Sequence, residues 1–61
     1  MSELHSEDFV EMLLRGDSFE YISHMYGIQA RSLHRRFYRM PSDLRSRIRA
    51  KRELMGLGVY E

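Results

Sequence analysis

Nine of the ten basic side chains in this 61-residue sequence fall between Arg31 and Arg52, and eight of the nine are arginine. Guanidinium groups at this density are permanently charged, planar donors that suit phosphate better than any other common ligand. The acids lie elsewhere. Residues 1–30 carry Glu3, Glu7, Asp8, Glu11, Asp17 and Glu20 against Arg15 alone, a formal charge of −5, and residues 31–61 carry +6. The net charge of +1 therefore hides a polarised molecule, one part of which attracts polyanions while the other repels them. The remaining side chains able to do chemistry point nowhere in particular. His5, His24 and His34 have no metal-ligand spacing on a shared face and no cysteine to support them. A histidine general base would lack both a nucleophile and an enclosed pocket in so short a chain. The reading is a binding protein that is not an enzyme, with no metal and no cofactor.

The elements that must position the arginines are helical. Apolar residues recur at spacings of three and four, not two, along the whole chain. A first helix is expected over about Glu7–Arg15, capped by Ser6, with Phe9 and Leu13, and Val10 and Leu14, as i,i+4 pairs. Gly16 ends it. A second helix runs from about Ser18 to Tyr26, with Asp17 and Glu20 in a capping-box-like pair, and Phe19, Ile22 and Tyr26 inward. Gly27 stops it. A third spans about Gln29 to Met40. At about 100° per residue, Ala30, Leu33, Phe37 and Met40 share its inner face, and Arg31, Arg35 and Tyr38 lie opposite. Pro41 ends that helix. Ser42 and Asp43 are placed to cap a basic fourth helix, residues 43–55, running from about Leu44 to Met55. Leu44, Ile48 and Met55 are its apolar line, Lys51 lies near that line, and Arg45, Arg47, Arg49 and Arg52 face outward.

Length and composition bound the rest. One domain, residues 1–61, is the most such a chain can form, and it buries only roughly 60% of its unfolded surface. With no cysteine to staple it, stability must come from helix packing or oligomerisation. Met1–His5 has neither a basic start nor an apolar stretch, and the longest apolar runs are two or three residues, so neither a leader nor a membrane span is expected. A cytoplasmic location fits that reading. Leu54, Met55, Leu57, Val59 and Tyr60 are too many apolar groups for one helix end to bury, and form the candidate homodimer interface.

Residues 19–39 meet the steric demands of a helix-turn-helix in register. Ile22 fills the middle of the first helix, and Ser23 is small where the second helix must cross closely. Gly27 makes the turn, Ile28 plugs the core after it, and Leu33 and Phe37 anchor the second helix. At these residues the chain resembles the prokaryotic helix-turn-helix superfamily. GIQARSLHRRF is similar to the recognition helix of AraC-like activators, and MPSDLRSRIRAKRELM resembles the proline-led, arginine-rich helix that follows it there. Resolvases, invertases and homeodomain-like phage and plasmid regulators show much the same pattern. Two positions differ: Gln29 stands where such families usually cap with Ser or Thr, and Arg36 where many repressors place an aliphatic residue.

The resemblance implies a compact all-α domain of three to four helices whose third helix enters the major groove of double-stranded DNA. On that basis Arg31 and Arg35 are expected to contact guanine edges, Gln29 to read adenine, and His34 and Tyr38 to meet bases or phosphate. Ser32, Arg36, Arg39, Arg45, Arg49 and Arg52 are expected on the backbone. The amides at the start of the second helix are a further candidate anchor. The implied function is a small transcriptional regulator, or an accessory DNA-binding protein of a phage or plasmid. The alternative is a helical interaction module that grips a host protein, such as RNA polymerase or a nuclease, through its acidic or basic face. Binding of structured RNA by the arginine-rich segment is a third reading.

Overall fold

Two glycines decide where the chain turns. At Gly16 φ is +101° and at Gly27 it is +65°, left-handed values that side chains with a Cβ adopt at a cost. After each, the chain closes the preceding helix from outside. The Gly16 and Asp17 amides donate to Leu13 O and Met12 O, and the Ile28 amide donates to Ser23 O. The computed structural model describes residues 3–58 and contains, among them, four helices and no strand. They are α1 (Ser6–Arg15), α2 (Phe19–Tyr26), α3 (Ala30–Tyr38) and α4 (Ser42–Leu54). The all-α reading therefore holds, with α1 packed on α4 and α2 on α3.

Three helix starts differ from expectation. Ser6 is the first residue of α1, and no side chain caps it. At α2 the cap is Ser18, whose Oγ accepts the Tyr21 amide at 3.0 Å. Asp17 lies one residue before the cap, with its amide tied back to Met12 O. Its carboxylate instead accepts from Arg15, from Nε at 3.1 Å and also from Nη2. That contact, first by hydrogen bonding and then by charge, raises the Arg15 pKa above its ordinary value. α4 begins two residues earlier than Leu44. Pro41 is extended, and its carbonyl accepts the Arg45 amide, so Ser42 and Asp43 are inside the first turn rather than capping it.

The core is Leu4, Phe9, Leu13, Phe19, Ile22, Leu33, Phe37 and Ile48, with Val10, Leu14, Tyr26, Ile28, Met40 and Leu44 packed around them. Phe19 is its centre, meeting Phe9 and Phe37 edge-on, each at 6.0 Å between centroids. Leu4 precedes α1 and has no periodic partner, so helical spacing gives no sign of its burial. The inner line of α4 is Leu44, Ile48 and then Arg52, not Met55 or Lys51, both of which are exposed.

Candidate nucleic-acid interface

α3 divides cleanly. Leu33 and Phe37 are fully buried, and Gln29, Arg31, Arg35, Tyr38 and Arg39 are exposed. The inward pair holds the helix against Phe19 and α2, and the same spacing turns the guanidinium groups outward. Among the described residues none of Arg31, Arg35 and Arg39 takes part in an ion pair, whereas Arg15 is engaged by Asp17. Tyr38 keeps 52% of its surface, with its ring edge-on to Phe37 at 5.9 Å. At the helix start, Gln29 makes no side-chain cap; its Oε1 accepts from Arg31 Nε at 3.2 Å.

His34 and Ser32 are less available than their expected roles require. Both are half-buried, and the His34 ring lies 4.8 Å from Phe19, at the edge of the core. The imidazole thus packs against the core as well as meeting solvent.

The basic side chains expected on the phosphate backbone separate into two groups. Arg49 is exposed, with its guanidinium 6.0 Å from the centre of the Phe37 ring, so it extends the α3 surface onto α4. Arg47 and Lys51 are exposed as well, and Arg45 is half-buried with an enclosed Nε that has no acceptor among the described residues. Arg52 contradicts the expectation outright. It is 1% exposed, and its Nη1 donates to Leu13 O and Asp17 O, each at 2.9 Å. The turn at Gly16 leaves these carbonyls at the negative end of α1, and a buried guanidinium is tolerated there because it meets them and lies 5.9 Å over Phe19. Arg36 is likewise drawn inward. It is half-buried, donates from Nη2 to Leu4 O at 2.8 Å and sits 5.5 Å from the Phe9 ring centre. Arg36 thus fastens the segment before α1 onto α3.

The α2 start is closed to backbone phosphate in part, because Ser18 already takes the Tyr21 amide. Apolar exposure at the chain's end is mixed. Leu54 keeps 87% of its surface, but Met55 and Leu57 lean on Gly16, where an added Cβ would meet Met55 Sδ at 3.0 Å and Leu57 Cδ1 at 3.4 Å. Val59 and Tyr60 lie outside the described residues. Tyr21 and Met25 are exposed on α2, one turn apart. The signal for them was present in the sequence, since both lie off the Phe19–Ile22–Tyr26 line.

An open cleft of about 420 Å³ separates α1 from the α3–α4 junction, floored by Phe9, Val10, Met40 and Leu44 with Arg36 and Arg39 among its walls. Among the described residues no three His, Asp or Glu side chains come together as a metal site, and no helix is long and apolar enough to cross a membrane. Comparison with known proteins finds no family model, no curated protein and no solved structure that matches this chain.

Proposed function

We propose that the chain is a sequence-specific DNA-binding protein in which α2, the Gly27 turn and α3 act as a helix-turn-helix, with α3 entering the major groove. The observation that carries this reading is the exposed row Arg31, Arg35 and Arg39 on a helix whose other face is anchored by Leu33 and Phe37. Three cations along α3 and its C-cap, outside any ion pair among the described residues, raise the local potential that draws a polyanion. Arg49 beside Phe37 adds a phosphate contact from the neighbouring helix. The acids of α1, Glu7, Asp8 and Glu11, are exposed and orient the molecule by repelling the duplex from that side. The role follows as a small transcriptional regulator or an accessory protein of a phage or plasmid. Two copies pairing through Leu54 would read two half-sites about one helical turn apart.

Selection from a random duplex pool tests the proposal. Enrichment of a short motif, bound with an affinity that falls steeply with salt, is the expected result. Recovery of no motif, together with capture of a protein, favours the second reading, an interaction module. That reading has its own support in the open cleft between α1 and the α3–α4 junction, which lies beside the acidic helix.

A further inference from the structure

The pair formed by Gln29 and Arg31 changes what each can recognise. Bidentate reading of adenine by glutamine needs both halves of the amide: Oε1 to accept from the base and Nε2 to donate to it. Here Gln29 Oε1 accepts from Arg31 Nε at 3.2 Å, which uses one of its two lone pairs and holds the amide against the guanidinium. Arginine, in turn, can present either its side, Nε with one Nη, or its end, Nη1 with Nη2. With Nε occupied, only the end remains, and the end matches the O6 and N7 acceptors of guanine. Both residues are exposed, and they flank the first turn of α3, the part of a recognition helix that comes nearest the bases. An exposed arginine otherwise samples many rotamers, and holding one of them in the free protein lowers the entropy lost on binding.

We propose that Gln29 is a positioning residue and that Gln29 and Arg31 together read a single guanine, with Gln29 contacting no base of its own. This rests on the DNA-binding reading above. The amide of Gln29, with Oε1 engaged, keeps two N–H groups that can reach a neighbouring phosphate oxygen, which aligns the pair without adding sequence information. Gln29 is thereby assigned the orienting of Arg31 in place of the adenine reading that its side-chain type suggests.

The test is duplex selection with four proteins, the wild type, Gln29→Ala, Arg31→Ala and the double variant, combined with nitrogen-15 spectra of the arginine side chains in the free proteins. Arg31→Ala is expected to cut the preference for one guanine by about ten- to a hundredfold. Gln29→Ala is expected to relax that same base pair by a smaller factor, on the order of threefold, as expected for loss of one exposed hydrogen bond. The double variant should be no worse at that pair than Arg31→Ala alone. In the free protein, the Arg31 Nε–H signal should be distinct from that of exposed Arg47 and should move toward it in Gln29→Ala. Relaxation by Gln29→Ala at a different, adenine-containing pair overturns the proposal while leaving DNA recognition intact. So does an Arg31 Nε–H signal that matches Arg47 in the wild type. A wild type that enriches no motif overturns both this pairing and the reading on which it rests.

Discussion

The outer face of α3 and the inner face of α4 are built from the same residue type and do opposite things with it. On α3, Arg31, Arg35 and Arg39 face water. On α4, Arg52 is enclosed and gives its hydrogen bonds to the carbonyls that end α1. What separates them is the supply of acceptors. Where a helix end or an extended segment offers carbonyls with lone pairs to spare, a nearby arginine is drawn in, and its charge becomes part of the frame. Where the helix lies over an apolar core that has none to offer, the guanidinium stays outside and remains available to a ligand. A count of basic residues therefore overstates the exposed basic surface: of the six positions assigned to phosphate by type and facing, Arg52 is buried, Ser32, Arg36 and Arg45 are half-buried, and only Arg39 and Arg49 are exposed.

The contrast can be broken most sharply at Arg52. Arg52→Ala is expected to lower unfolding stability by about 3 kcal/mol, because it opens a cavity beside Phe19 and removes both hydrogen bonds from the guanidinium to Leu13 O and Asp17 O. In a domain this small that is much of the total, and thermal unfolding measures it directly. Arg52→Met, which keeps apolar volume, should recover part of the loss. Next in size, Arg31→Ala and Arg35→Ala are expected to cost about 1–3 kcal/mol of specific binding while leaving the melting temperature nearly unchanged. A large drop in stability from either would erase the distinction between the two faces. Arg36→Ala should fall between the classes, with about 1.5 kcal/mol lost in a denaturant titration as Leu4 loses its carbonyl contact. The smallest effect belongs to Arg49→Ala. It should weaken all duplex sequences alike, reduce the salt slope by about one, and change stability by less than about 0.5 kcal/mol.

Much of the frame was legible because it is periodic. Phe9 and Leu13, Phe19 and Ile22, and Leu33 and Phe37 are buried as their spacing requires, and Gly16 and Gly27 end helices where expected. The outward side of α3 follows from the same periodicity, since fixing Leu33 and Phe37 inside leaves Arg31 and Arg35 outside. The parts that were not legible depend on contacts between distant segments. Arg52 meets carbonyls 39 and 35 residues earlier, and Arg36 one 32 residues earlier, and no local pattern says which helix end will arrive beside which arginine. Facing alone put Arg52 outside and Lys51 nearer the core, because Met55 was counted in the apolar line of α4, which turns that line toward Lys51, whereas α4 ends at Leu54 and Met55 is exposed. Leu4 and the cap of α2 belong to the same class. Each is decided by how the chain closes on itself, not by the residues adjacent to it.

The central claim, that the exposed side of α3 is the surface that meets DNA, is tested most directly by amide chemical-shift mapping during titration with a short duplex at low salt. Perturbations are expected to concentrate on residues 29–39, with a second group at Arg45 and Arg49, and to be small along Glu7–Glu11 of α1. Perturbations centred on α1 and its cleft, or no saturable change at all, would contradict it.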